Sequence, residues 1–398
     1  MNLKDAKPRL NRKKEFFFFS VIAIVAMVAG SIGVYQVLVD GNHGALTNFV
    51  PWGLWVSAYV FLVWLEVGMI LSFFVVRRYF KIEGLDIMAP VVYLAAIAAL
   101  IAALFTIGMD LGHPFRFYKA YTSPQFGSMM TWMIWLHTIY LFILGGELFF
   151  YWKGKDSVKR NKKWLDRLAY ISIPFGIILI GNIGGLFGVI AARPFWNASV
   201  LPLMFFIASV VAGLGLLTLL HILFSPITGT QQYKDVAYDL ARIFFGGIIL
   251  GIIAVMANAV VIAYPSIPAH SEALRLILFG PYWWSIWIIH IAIGIIVPLA
   301  LLYFARKNLF AIGSACFLYI VGFTMVPVNI IIPGLAYPSV GLEGLQQSFH
   351  HYKLTFEYGP SGVEWLVVTF AFGLALLIFT VGYRYLVEPY IKEYFPRV

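Results

Sequence analysis

Charge is what this sequence has least of. Of its 398 residues only 12% are Asp, Glu, Lys or Arg, whereas 61% are hydrophobic. A soluble domain carries about 25% charged residues, and core burial cannot absorb so large a deficit. The shortage excludes a water-soluble globular fold and makes lipid the principal solvent. Cysteine is almost missing too. The single one, Cys316, lies in an apolar run, so an intrachain disulfide is excluded. One thiol cannot hold an iron–sulfur cluster or a structural zinc unaided, and a small buried apolar role is expected for it. Any redox centre would then be a haem, a diffusible carrier or the property of a partner. Period-two alternation is also absent from the apolar runs, which excludes a transmembrane β-barrel.

What is present is a series of apolar runs, each near or above the roughly twenty residues that a bilayer core demands. Ten spans are predicted: 16–39, 51–76, 87–109, 128–152, 169–192, 199–224, 238–264, 281–304, 309–336 and 363–387. The fold class is thus an all-α integral membrane protein with one membrane domain over 16–387. A basic segment, 1–15, precedes it and a short tail, 388–398, follows. The first span is too long for a signal-peptide h-region, so it reads as a retained helix. Lys and Arg concentrate before span one, after spans two, four, six and eight, and in the tail. The densest cluster is "WKGKDSVKRNKKW", 152–164. Positive-inside logic puts both termini and this loop in the cytoplasm. The net charge of +10 is then a topology signal beside membrane lipid and needs no nucleic-acid partner.

The opposite loops are poor in Lys and Arg but rich in aromatics, Pro and Gly: "DLGHPFRFYKAY" (110–121), "ARPFWN" (192–197), "FGPYWW" (279–284) and the stretch 338–362. Trp52, Trp196, Trp283 and Trp365 read as members of an interfacial aromatic belt. Asp110, His113 and Arg116 converge where a helix leaves the lipid. They mark either a functional mouth or a solvated turn in which Asp110 pairs with Arg116. At 1.5 Å per residue, His137 lies about 14 Å below the outer end of span four, and His290 is similarly deep in span eight. Tyr59, Asn258 and Asn329 fall in the outer third of their spans. Such donors and acceptors suit quinone carbonyls and quinol hydroxyls within apolar walls. For each His the alternative is a satisfied core imidazole, and for each Asn, interhelical glue. Nearer the inner face lie Glu66, Glu147, His221, Asp239 and Arg242. The last two read as anchors and a local pair. Glu66, Glu147 and His221 form a candidate proton route, against the alternative of helix-stabilising contacts.

"DLGHPFRFYKAY" followed by "SPQFGSMMTWMIW", together with "VPWGLWVSAYVF" (50–61) and "FEYGPSGVEW" (356–365), resembles the NrfD/polysulfide reductase membrane-subunit family. The likeness runs from about Val50 to Val387 and is to its ten-helix branch. That branch includes membrane subunits of hydrogenase-2-type complexes and of the Dsr and Hme complexes of sulfur metabolism. The resemblance implies two four-helix bundles, from the second to the ninth helix, with flanking helices. It implies no redox metal in this chain, neither haem nor iron–sulfur cluster. It implies a menaquinone-type carrier near the outer face, beside an extracytoplasmic ferredoxin-like iron–sulfur subunit, with a cytochrome or further membrane subunits in the complex. Tyr59, Asp110, His113, Arg116, His137 and His290 are the candidate quinone-binding residues. One departure stands out: where relatives carry small residues in a "GLxAG"-like pattern, this chain has "VWLEVG" (63–68), which puts Glu66 at a usually small position.

Three other classes compete with a quinone-reactive electron-transfer subunit. A b-haem cytochrome could use His137 and His290 as facing ligands, a secondary transporter would need broken helices and an inverted repeat, and a structural anchor would bind no quinone.

Overall fold

The computed structural model describes residues 12–264, 268–337 and 355–394. Residues 1–11 of the predicted basic segment, 338–354 of the late outer stretch and 395–398 of the tail lie outside them. Among the described residues all regular structure is helical. Ten helices among the described residues are long and apolar enough to span a bilayer: α1 (Phe16–Leu38), α2 (Leu54–Phe80), α3 (Leu85–Asp110), α4 (Met129–Trp152), α5 (Lys162–Gly188), α6 (Leu201–Phe224), α7 (Gln231–Ala263), α8 (Ser285–Phe304), α9 (Leu309–Ala336) and α10 (Gly362–Glu393). Backbone polar groups cannot go unpaired in hydrocarbon, so runs of this length form helices.

The ends differ from the hydropathy reading in an understandable way. α5 and α7 begin seven residues earlier than predicted, in polar stretches (162–168 and 231–237) that hydropathy assigns to water. Helical hydrogen bonding continues there until a local signal stops it. At α7 that signal is Thr230, whose side chain accepts from the Tyr233 N–H at 3.1 Å. Beyond 387, the predicted end of the last span, the chain stays helical to Tyr394. This predicted tail docks back, because the Glu393 carboxylate accepts from the Lys155 N–H at 2.7 Å. Gly154 has φ +90° at that corner, where a side chain would be strained.

Helices α2, α3, α4 and α5 pack in a closed ring, α2 on α3, α3 on α4, α4 on α5 and α5 on α2. Helices α6, α7, α8 and α9 close a second ring in the same way. The rings join chiefly through α6, which packs on both α2 and α5. At that seam Gly68 of α2 faces Ser209 and Gly213 of α6, with no room for a single added methyl. Small residues let backbones approach this closely, which drives helix association in lipid. α1 and α10 pair with each other, and α10 also lies against α3. Gly30 and Gly33 meet α10 near Leu366, and Gly373 meets α1 near Ala26, so the pair is antiparallel. Two four-helix bundles plus flanking helices is therefore the architecture, as the resemblance implied. Residues 12 and 394 lie at one end with the Lys- and Arg-rich loops, the basic end. The aromatic loops occupy the other, the loop end.

Several helices are irregular. α2 is π-helical over Val76–Phe80, α8 over Ser285–Ile296 and α10 over Tyr383–Val387, and α9 breaks at Thr324 between Leu309–Phe323 and Met325–Ala336. π-Helical turns are rare and recur at functional sites.

Candidate functional site

The first bundle holds the largest group of buried polar side chains. Tyr59 on α2 and His137 on α4 meet inside it, the Tyr59 hydroxyl 3.3 Å from His137 Nε2. His137 Nδ1 lies 2.7 Å from the Met133 carbonyl one turn earlier. A carbonyl only accepts, so Nδ1 carries the hydrogen of a neutral ring and Nε2 accepts from Tyr59. Both side chains are almost wholly buried. The sequence placed both residues at one depth, and the structure brings them into contact.

Helical spacing continues this polar face towards the basic end. Tyr59 and Glu66 are seven residues apart, two turns along one face of α2; His137, Tyr140 and Glu147 share a face of α4 at steps of three and seven. Glu66 and Glu147 are completely buried, and neither carboxylate has a hydrogen-bond partner among the described residues. The Tyr140 hydroxyl is equally buried and unpartnered. It sits against Gly176 of α5 beside Val67, within electrostatic reach of both acids. From α3, Tyr93 faces Glu147 without meeting hydrogen-bond geometry. Tyr140 and Tyr93 escaped the sequence reading because tyrosine is common in this chain; the α4 spacing from His137 was the usable signal.

At the loop end Asp110, His113 and Arg116 part company. Among the described residues no ion pair joins Asp110 to Arg116. His113 and Arg116 are exposed around the short helical turn Pro114–Arg116. Asp110 turns inward, one carboxylate oxygen buried and unpartnered, and the charged group that acts on it is Glu364. Glu364 is a residue that sequence reasoning missed. Completely buried at the start of α10, it forms a capping box with Ser361 and bonds the Tyr358 hydroxyl. Its Oε2 also accepts from the Ala45 N–H at 3.2 Å, while Tyr358 accepts from the Leu54 N–H at 2.8 Å. Burial, then the Glu364 carboxylate, pushes the Tyr358 hydroxyl well above its ordinary pKa. Gly53 is required here, since a Cβ would collide with Tyr358 and Glu364. The spacing Ser361-x-x-Glu364 was the readable capping signal.

The loop after α3 is pinned onto the first turns of α4. Trp132 Nε1 donates to the Phe126 carbonyl at 2.8 Å, Trp135 Nε1 to Ala120 at 3.3 Å, and the Tyr121 hydroxyl meets Thr138 at 2.8 Å. Positions 132, 135 and 138 step along α4 every three residues and hold the loop on the outward side of α4, away from buried His137. Its aromatic rings Phe115, Phe117 and Tyr118 remain exposed.

The second bundle holds the rest. His290, on the π-helical part of α8, is half-buried with Nδ1 unpartnered. α8 packs on α9 whereas α4 packs on α3 and α5, so His137 and His290 do not share a site. Nor do they form a facing haem pair, because both His137 nitrogens are engaged by Met133 and Tyr59. Asn329 accepts from Ser285 at 2.5 Å and ties α9 to α8, as a glue residue does. His221 also stands apart from Glu66 and Glu147: its Nε2 donates to the Tyr233 carbonyl at 3.1 Å within the α6–α7 pair. Asp239 and Arg242 do form the expected local pair, at 3.1 Å. Trp196 departs from the belt reading. It is a buried plug that donates to the Ile330 carbonyl at 2.7 Å, in space that Gly334 leaves open.

The chain is 26% identical to a selenate reductase subunit of Mesobacillus selenatarsenatis over 92% of each chain. It is 25% identical to the Hdr-like menaquinol oxidoreductase integral membrane subunit of Archaeoglobus fulgidus, again over 92% of each. With the menaquinone reductase integral membrane subunit of Nitratidesulfovibrio vulgaris it shares 22% identity over 94% of this chain and 91% of the other. The last two of these relatives are named as integral membrane subunits of oxidoreductases. The family model described as "Polysulphide reductase, NrfD" matches residues 43–339, a stretch that takes in both bundles and the Tyr59–His137 contact, and the chain belongs to the NrfD family.

Proposed function

We propose that this chain is the quinone-reactive membrane subunit of an oxidoreductase complex, working with its head-group site around Tyr59 and His137. The observation that carries the reading is their buried hydrogen bond, a donor–acceptor couple enclosed by apolar helices at the depth a quinone ring would reach. A menaquinone-type carrier fits that donor set, and two of the relatives carry menaquinol or menaquinone in their names. Such a carrier supplies two electrons and two protons per quinol. The protein's part is to orient the head group, exclude water and hold a proton at His137 Nε2 or the Tyr59 hydroxyl. Asp110, turned inward beside Glu364, forms the mouth of the site. His113 and Arg116, exposed among aromatic rings, belong to the surface that docks an iron–sulfur subunit; a cytochrome or a further membrane subunit makes up the rest of the complex. His290, in the other bundle, has no part in this head-group site. The basic end faces the cytoplasm, by positive-inside logic, and Glu66 and Glu147 carry protons between that side and the quinone. The family description favours a sulfur compound as the distal substrate.

The test is equilibrium binding of a menaquinone analogue to the full chain in lipid nanodiscs. His137→Phe is expected to weaken binding about tenfold, the loss of about 1.4 kcal/mol, and Tyr59→Phe somewhat less. Unchanged affinity in the folded double variant would move the site elsewhere, and no binding by the unaltered chain would leave the structural-anchor reading.

A further inference from the structure

We propose that the Tyr140 hydroxyl, with Tyr93 behind it, relays protons between Glu66 and Glu147, so that a single file of side chains runs down the first bundle from Tyr59 and His137 to the basic end. The inference rests on the quinone reading above and deepens it by naming the link and its members.

Two acids buried in one bundle do not make a path. Glu66 and Glu147 stand on different helices, and proton steps require hydrogen-bond distance or an intervening water. Tyr140 is placed to join them. It lies on the same face of α4 as Glu147, and its hydroxyl sits against Gly176 beside Val67, the residue after Glu66. Both carboxylates act on it electrostatically, and it has no other hydrogen-bond partner among the described residues. A buried hydroxyl with nothing to bond costs free energy that a purely structural tyrosine would avoid; phenylalanine would fill the same space.

The file continues in both directions. Above Tyr140, His137 is one turn away on α4, and Glu66 acts on Tyr59 from below. Beneath it, Glu147 faces Tyr93 of α3, which also feels Tyr151 of α4 and Arg77 near the end of α2. The Tyr151 ring packs on Tyr93 and on Tyr390 of the docked C-terminal helix. The file thus reaches the Lys- and Arg-rich end of the molecule. α5 adds no titratable group at this level, since it presents Gly176. His221, the third member expected from depth alone, is replaced by Tyr140 and Tyr93.

Each step is a proton exchange between oxygens. Glu66 gives its proton to the Tyr140 oxygen while the Tyr140 hydroxyl proton passes to the Glu147 carboxylate, and the new hydroxyl then rotates. One O–H bond breaks for each that forms, and Tyr140 ends uncharged. Neither acid is hydrogen-bonded to Tyr140, and along α4 Tyr140 and Glu147 are separated by about 10 Å of axial rise, so water completes both steps. The file runs in either direction and serves quinol oxidation or quinone reduction alike.

The experiment uses the whole complex, isolated through a tag on this chain and reconstituted in liposomes with a pH dye on the side of the basic end. During turnover of a soluble quinol analogue, Tyr140→Phe is expected to slow dye-reported proton exchange at least tenfold, with analogue affinity within twofold of the unaltered chain. Tyr140→His, which restores a proton-carrying group, should recover most of the rate. Tyr319→Phe, the loss of a buried hydroxyl in the second bundle, should change nothing. Normal proton exchange in Tyr140→Phe overturns the relay. So does a parallel loss of analogue affinity, which would make Tyr140 part of the quinone site. Failure of the unaltered complex to bind the analogue instead removes the quinone reading itself.

Discussion

The two four-helix bundles share a closed-ring topology and differ in what surrounds and fills them. In the first, 89% of the apolar stretch of α2 and 78% of that of α3 is buried within the chain; in the second the shares for α7 and α8 are 6% and 22%. α2 and α3 are walled in by α6 and α10, whereas α7 and α8 turn most of their surface outward. The contents follow the enclosure. The first bundle buries Tyr59, Glu66, Tyr93, His137, Tyr140 and Glu147 in one column. The second holds its polar groups apart: Ser285 bonds Asn329, His221 bonds Tyr233, and His290 stands alone with Nδ1 unpartnered among the described residues. Ionisable groups inside a bilayer are costly and gather where chemistry needs them. On the reading proposed above, the enclosed bundle is the working one, while the open bundle turns its surface outward.

The most disruptive way to break this comparison is to part the bundles. Gly213→Val forces a branched side chain into the backbone contact with Gly68 and is expected to cost at least about 3 kcal/mol. Thermal unfolding in detergent and the yield of monodisperse protein would show it. Wild-type behaviour would mean that the α2–α6 seam is loose. Next in size is a functional contrast between two histidines. His137→Phe should lower quinol turnover of the complex about 100-fold, as loss of a proton-handling group commonly does. His290→Phe, in the other bundle, should change turnover less than about twofold; equal losses in the two would merge the bundles into one site. The smallest effect concerns a clip at the loop end. Half-buried Arg193 donates to the carbonyls of Leu335 and Tyr337 at 3.1 and 3.3 Å, and to that of Phe49 at 3.2 Å. It thereby ties the end of α9 to the approach of α2, and burial holds its pKa below the ordinary arginine value. Arg193→Gln should cost about 2 kcal/mol through lost charge-assisted bonds, seen as a lower unfolding temperature with quinone affinity intact. Weakened affinity would instead place the clip inside the site.

Particular residues show how far the sequence could be read. The spans were legible because lipid tolerates only long apolar helices, and their ends were misjudged most where α5, α7 and α10 continue through polar residues into water. The Tyr59–His137 contact was foreseeable as a shared depth, and Glu364 was readable from Ser361 three residues before it. Trp196 was not legible, because a belt tryptophan and a buried plug look alike until Gly334 is seen to make room for the ring. His290 and His221 share a depth with residues of the first bundle but stand on helices of the second, which depth alone does not reveal.

By itself the sequence determined the solvent, the helices and the depth of each polar group, since composition and a rise of about 1.5 Å per residue settle position along a helix axis. Which groups of equal depth become neighbours was decided only by the tertiary structure. Lateral pairing depends on where backbones can approach, and in lipid that is set by small residues such as Gly68 and Gly213 meeting across helices far apart in the chain.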